Sequence, residues 1–292
     1  MIIQKSGGKI DKRDFQQKAG FIALQACLLA VVLSLGVLIA FIFIKGIGVI
    51  NIDFITQFPK DGMSAGGIFP AILGTFLLCV VAVVFAVPLG VLTAVWLVEY
   101  STNPKMVRIL RVGINSLAGV PSIVFGLFGL AFFVNFMGFG PSLLSGGLSL
   151  GILILPTIIR TSEEALLTVP PSFKEASLSL GATRWETVYK IILPNSISGI
   201  LTGVILSVGR AAGETAPILM TGATFFTMRL PNSLFSEVMA LPYHIYALMT
   251  EGTHANQLAI AYGTALVLMM LVVAVNSIAI YIRIQARKAR EW

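Results

Sequence analysis

Long apolar runs alternate with short polar connections along the whole chain. Six stretches, 20–44, 71–98, 112–137, 142–159, 195–220 and 257–282, are apolar for long enough to be membrane spans. A hydrocarbon core roughly 30 Å thick needs about 20 helical residues, each adding about 1.5 Å. The fourth stretch is the shortest and is rich in Gly. The second and third carry Pro88 and Pro121, which predict kinks. Backbone groups freed by a kink must be re-satisfied inside the protein. The first run follows a basic N-terminus, as in a signal peptide. Its length, 19–44, exceeds an h-region of about 7–15 residues and predicts a retained helix. Leu24-Gln25-Ala26-Cys27 is no lipoprotein cleavage site, because its Cys precedes most of the apolar run. Two connections are longer. Segment 45–67 is moderately polar. Segment 221–256 has apolar patches at Leu234-Phe235 and Val238-Met239, which suit an interfacial segment or a cover over a cavity mouth.

Composition agrees with this pattern. Of 292 residues, 57% are hydrophobic and 11% charged, against about 25% charged in a soluble domain. A core of one or two domains cannot hide that surplus, and a bilayer can. Cys27 and Cys79 both lie in apolar runs and read as small buried hydrophobes, not metal ligands or a disulfide. The formal charge of +7 changes meaning once the basic residues are placed. Lys5, Lys9, Lys12, Arg13 and Lys18 precede the first span. Lys105, Arg108 and Arg111 fall between the second and third. Arg160, Lys174, Arg184 and Lys190 surround the fourth-to-fifth connection, and Arg283, Arg287, Lys288 and Arg290 follow the sixth. Alternate connections hold only Lys45, Lys60 and Arg229. This asymmetry places both termini and the basic connections in the cytoplasm. A nucleic-acid binder would not sort its charges by alternate loops, so no nucleic-acid partner is expected; the partner implied is membrane lipid.

The cytoplasmic connection reads EEALLTVPPSFKEASLSLGATRWETVYKIILP, residues 163–194. Pro170 and Pro171 end what precedes them. Ser172 and Glu175 have capping-box spacing and predict a short helix. Gly181 is placed to end it in the left-handed conformation. Thr183 and Glu186 form a second capping box, opening a helix through Ile192, and Pro194 opens the fifth span. The result is an elbow whose first helix carries Phe173, Ala176 and Leu180 on one apolar face. That face either packs under its own bundle or docks on another protein.

Glu175-Ala176-Ser177, Gly181 and Ile191-Ile192-Leu193-Pro194 together resemble the EAA signature of ABC importer permeases, with Ser177 in place of the second alanine. The resemblance implies an all-α integral membrane protein with the six-helix, MetI-like permease fold. It also implies that Phe173, Glu175, Ala176, Ser177, Leu180 and Gly181 form a coupling helix seated on an ATPase subunit. No G-x-x-x-x-G-K-[S/T] loop is present to cradle phosphates. The chain is therefore expected to bind no cofactor itself and to be non-catalytic, with ATP used by the partner. Expected domains are 1–65 (N-terminal segment, first span and external loop), 66–282 (permease domain with its elbow at 163–194) and 283–292 (a basic tail).

Within the fifth span stand Arg210 and Glu214, in GRAAGETAP. A charge at mid-membrane costs about 2.5–3.5 kcal/mol on insertion scales and marks a functional candidate. Base before acid at this spacing is the less favourable order along a helix, so local helix stability does not explain the pair. Gly209, Ala211, Ala212, Gly213 and Ala216 suit close helix approach. Pro217 leaves the Gly213 carbonyl without its helical donor. Two readings stand: an ion pair pinning the span, or a guanidinium that meets an anionic solute while the carboxylate neutralises it at rest.

The stretch from Gly209 to Leu219, with NSLAGVPSIVFGLFGL (115–130) and GGIFPAILGT (66–75), resembles the phosphate ABC transporter permeases, of the PstA type rather than the PstC type. The resemblance covers about 66–282. It implies that Arg210, Glu214 and Arg160 belong to a phosphate pathway. Arg160, at a span end beside Thr161 and Ser162, equally suits a positive-inside anchor. The resemblance also implies a PstC-like permease partner, two PstB-like ATP-binding subunits and a PstS-like phosphate-binding protein, in a bacterial inner membrane. Sulfate or molybdate importers share the elbow and form the alternative, followed by a self-sufficient channel or carrier. A membrane enzyme is disfavoured, because the spans hold no Asp and no His. His244, His254, Glu237 and Glu251 are expected to be solvated loop residues. Phe125, Phe128, Phe132 and Phe133 are expected to pack, and Gly126 and Gly129 to mediate helix contact.

Overall fold

The computed structural model describes residues 12–227, 229–252 and 255–288. Lys5, Lys9, His254 and Arg290 lie outside the described residues. Among the described residues, five helices are long and apolar enough to cross a membrane, and a pair bent at a short break adds a sixth if its two halves count as one span.

Helix α1 (Lys12–Gly46) stands almost free of its own chain. It touches α12 (Ala255–Lys288) at one end, where Phe41 meets Tyr262 edge-to-face at 5.7 Å. Its apolar surface, Cys27 included, is exposed on the lone subunit, so Cys27 is not the buried hydrophobe its run predicts. Cys79 is buried.

The 45–67 connection is more structured than its polarity predicts. It folds into α2 (Ile52–Thr56), capped by the Asn51 side chain, and a hairpin of β1 (Pro59–Lys60) with β2 (Ala65–Gly66). Phe54, Met63 and Ile68 are buried there. Helix α3 (Phe69–Val95) runs through Pro88 without a break and ends in a π turn, Trp96–Tyr100.

The third span departs from a single kinked helix. It consists of α4 (Pro104–Ala118) and α5 (Ser122–Gly129), continued by a π segment to Phe136, and the two halves bend by 99°. Pro121 sets the break, since its ring excludes the preceding residues from a continuing helix. Helix α4 buries no residue of its own.

Helix α6 (Leu143–Leu167) is the most buried element and extends beyond the expected end at 159. It packs along α3 and α9 (Leu193–Gly213). A methyl at Gly203 would overlap the Thr161 hydroxyl, so only glycine lets α6 and α9 approach this closely. The central core holds Leu78, Ala82, Leu150, Ile154 and Ile158 with Ala211 and Ala212.

The 221–256 connection is not a loose cover. After α10 (Ala216–Thr221), Val238 to Leu241 thread into the core, and α11 (Leu241–Thr250) packs against α12 and α3. The Leu241 N–H donates to the Thr75 hydroxyl, 2.8 Å. Leu234 and Phe235 remain exposed.

Candidate functional site

The fifth span does not run through 195–220 as one helix, contrary to its apolar pattern. Helix α9 ends at Gly213, Glu214 is extended (φ −76, ψ 130), and α10 starts at Ala216. The cause is Pro217. Its nitrogen carries no hydrogen for the Gly213 carbonyl, and its ring would clash with that carbonyl in a continuous helix. Arg210 therefore sits in the last turn of α9, where the helix dipole favours a cation. Glu214 lies beyond the helix end, so the pair bridges a break and is not a stacked helical couple.

The contact is loose. Arg210 Nε lies 3.4 Å from Glu214 Oε1, near the limit of a hydrogen bond. Among the described residues the Nη groups make no hydrogen bond. Arg210 is 41% exposed and Glu214 18%. The small residues around the pair suit close helix approach, yet on the single subunit Arg210 is exposed and Glu214 half-buried. Ala211 and Ala212 pack inward as expected, and a methyl at Gly209 would come 3.3 Å from Asn276. Gly213 instead faces open space. The nearby cavity of about 180 Å³ between α3, α9 and α12 is lined by Cys79, Val83, Val208, Ala212 and Val275 among other apolar residues. It offers nothing to an anion.

Arg160 is not brought to Arg210. It pairs with Glu164 (3.3 Å) and donates from Nη1 to Asn115 (3.5 Å). Their separation follows from the helix packing: Thr161 meets Gly203, and Arg210 is seven residues further along α9, about 10 Å by helix rise. Arg160 sits in a polar hollow of about 190 Å³ with Arg111, Asn115, Glu163 and Glu164, where Arg111 pairs with Glu163.

The elbow is helix α7 (Pro171–Ser179) followed by α8 (Arg184–Thr187), a π turn (Val188–Ile192) and α9 without interruption. The Ser172–Glu175 capping box does not form. Pro170 takes the N-cap and Pro171 the first helical position, which starts α7 two residues earlier. The Thr183–Glu186 box forms in both directions. Gly181 adopts φ +86, with the Ala182 N–H donating to the Ser177 carbonyl, and closes α7 as its spacing predicts. The π turn precedes Pro194, whose missing N–H it absorbs. Phe173, Glu175, Ala176 and Gly181 are exposed, and Leu180 is 90% exposed. Ser177 turns back, its hydroxyl 2.9 Å from that of Thr187. None of the described chain covers the Phe173–Ala176–Leu180 face.

Three further outcomes bear on the site. His244 is not solvated: it is 2% exposed on α11, and neither ring nitrogen has a hydrogen-bond partner among the described residues. Burial lowers its pKa to about 4. Glu237 and Glu251 are exposed, as expected. Phe125 and Phe133 are buried, but Phe128 and Phe132 are exposed and stack with each other at 5.4 Å. Gly126 and Gly129 lie against α10 and α6, as helix contacts should.

Sequence reasoning overlooked one pair. Lys174 Nζ lies 2.5 Å from Glu99 Oε2, joining α7 to the end of α3. The available signal was a lone acid between Val98 and Tyr100 at a span end where bases are the rule.

Residues 86–290 match the family model described as binding-protein-dependent transport system inner membrane component. A probable ABC transporter permease, YqgI of Bacillus subtilis, is 36% identical over 88% of this chain and 90% of its own. The phosphate transport system permease PstA 1 of Mycobacterium tuberculosis is 39% identical over 77% and 73%. PstA of Mycobacterium leprae is 40% identical over 73% and 69%. Among solved structures, a bacterial alginate ABC transporter is 16% identical with TM-score 0.63, covering 92% of this chain and 93% of that one. The inward-facing MetNI methionine transporter is 21% identical with TM-score 0.57, covering 75% and 94%. At such identities the two structures speak for the fold alone. The chain belongs to the family of binding-protein-dependent transport system inner membrane components, and within it to the PstA-type permeases.

Proposed function

We propose that this chain is the permease subunit through which an ATP-driven importer moves inorganic phosphate across the bacterial inner membrane. The observation that carries the reading is the Arg210–Glu214 pair: two charges at a helix break, loosely joined, with Arg210 exposed and Glu214 half-buried on the single subunit. Lipid does not tolerate such a surface, so another subunit must cover it. A PstC-like permease is the proposed cover, with the solute route between the two chains. In that setting a planar guanidinium offers two donors to an oxyanion, and the 3.4 Å contact is weak enough to be exchanged for cargo. Glu214 neutralises Arg210 between cargoes and competes with phosphate for it, which favours release.

The remaining partners are proposed from the elbow and from the resemblance to phosphate importers. Two PstB-like ATP-binding subunits seat the elbows, and a PstS-like protein delivers phosphate outside. ATP is consumed by those subunits, and this chain holds no cofactor. Arg160, in its hollow near the cytoplasmic end of α6, is proposed either to meet the anion after Arg210 or to anchor the span.

Uptake of labelled phosphate by membranes carrying the assembled complex, with sulfate and molybdate as competitors, tests the reading. Phosphate uptake that neither competitor reduces is the expected result. Inhibition by sulfate or molybdate as strong as by unlabelled phosphate would move the assignment to another oxyanion.

A further inference from the structure

We propose that the Lys174–Glu99 pair is a strut that transmits the movement of the elbow to α3, making both of them positioning residues for transport. The proposal rests on the reading of the elbow as the ATPase docking surface.

The pair is built differently from its surroundings. Where α3, α6 and the start of α9 converge, the core is apolar: Ala94, Val95, Leu166, Val188 and Ile192. Beside it lies a hollow of about 240 Å³, lined by Val98, Leu166, Val169, Pro170 and Ile192 together with Glu99 and Lys174. Apolar packing is non-directional, and beside a hollow fewer atoms oppose a displacement. A charge-assisted hydrogen bond is short and directional, and it resists such a displacement.

Burial on the acid side makes the strut one-sided. Glu99 is 9% exposed, whereas Lys174 is 39% exposed. Glu99 sits in the π turn that ends α3. Lys174 follows Phe173 directly on α7, and Ala176 and Leu180 continue the exposed face. The other polar contact of α7, Ser177 with Thr187, reaches only the helix that follows it. Lys174–Glu99 is thus the polar tie, among the described residues, from the docking helix to a distant span. Helix α3 packs along α6, and its Leu78, Ala82 and Ala86 share a core with Ala211 and Ala212 of α9. A pull on α7 therefore moves the helix that borders the Arg210 turn.

The test uses the complete complex with its ATPase, partner permease and binding protein, reconstituted in vesicles and supplied with labelled inorganic phosphate. Uptake per ATP hydrolysed is the readout, beside the amount of ATPase retained on purification. Glu99→Gln and Lys174→Met should lower the ratio about tenfold, the scale of coupling changes along packed networks, with ATPase retention unchanged. Lys174→Met should be the worse, because it strands a buried carboxylate. Lys174→Arg should keep the ratio, and the exchanged pair Glu99→Lys with Lys174→Glu should restore most of it. A ratio that stays normal in both single variants overturns the strut. So does uptake that falls only in proportion to retained ATPase, or an exchange no better than the singles. Phe173→Asp separates the two readings: it should shed the ATPase. If Phe173→Asp keeps ATPase and uptake, the elbow reading fails and the strut with it; if it sheds the ATPase while Glu99→Gln transports normally, the strut alone fails.

Discussion

The chain holds two ion pairs of opposite character. Lys174–Glu99 is short, half sunk in an apolar junction, and ties together elements far apart in sequence. Arg210–Glu214 is long, lies at the surface of the subunit and spans a break in one helix. Both consist of one base and one acid in a greasy chain, so composition alone cannot tell them apart. Geometry can. The exposures are alike, 39% and 9% against 41% and 18%; the lengths, 2.5 Å against 3.4 Å, separate the pair proposed to hold from the pair proposed to exchange partners. The lesson is that charge in a membrane segment is read from how tightly it is satisfied.

The largest effect should come from Arg210→Gln. Phosphate uptake should fall about a hundredfold, the scale of a lost desolvated charge contact, while the complex still assembles. Near-normal uptake would reduce the open pair to a structural one. Glu214→Gln should come next: turnover should slow about tenfold and the apparent KM for phosphate should fall, because the competing carboxylate is gone. A rise in KM with unchanged turnover would assign Glu214 to cargo binding instead. Third, Gly181→Glu forces a side chain into φ +86 at about 1–2 kcal/mol. Nothing lies within 4 Å of that position, so strain and the added charge act on the elbow alone. Uptake per ATP should drop several-fold, and an unchanged ratio would remove Gly181 from coupling.

The smallest effect concerns His244, a buried group that belongs to neither pair. Its folded pKa, about 4, lies below the ordinary value of 6.5. The folded state therefore binds fewer protons than the unfolded one. The contribution to stability is complete above about pH 6.5 and is lost as pH falls toward 4, by at most about 1.4 kcal/mol per pH unit. Thermal unfolding in detergent should show that slope, and His244→Leu should flatten it. A slope that persists in the variant would assign it to other groups.

Much of this was legible in sequence where the physics is local. The apolar runs, the left-handed Gly181, the Thr183–Glu186 box and the apolar face of α7 all follow from local patterns. The break after Gly213 was foreshadowed by Pro217, but a kink and a complete break look alike in sequence. The 99° bend at Pro121 was missed for the same reason. Packing partners set the rest. His244 looked like loop because its segment is short and mixed, and burial came from α3 and α12. Glu99 and Lys174 are 75 residues apart, and no local rule joins them. A charge in a membrane segment must be sheltered, and small neighbours such as Ala211 and Ala212 point to close packing around Arg210. On one subunit it is open, and the shelter belongs to the assembly.

The direct measurement is chemical access to that face in the assembled complex. With Cys27 and Cys79 replaced, Gly213→Cys puts one thiol in open space next to Glu214. A charged, water-soluble maleimide should label it, and inorganic phosphate should slow the labelling where sulfate does not. A thiol that reacts only with lipid-soluble reagents, or one whose labelling phosphate leaves unchanged, would contradict a solute route past Arg210.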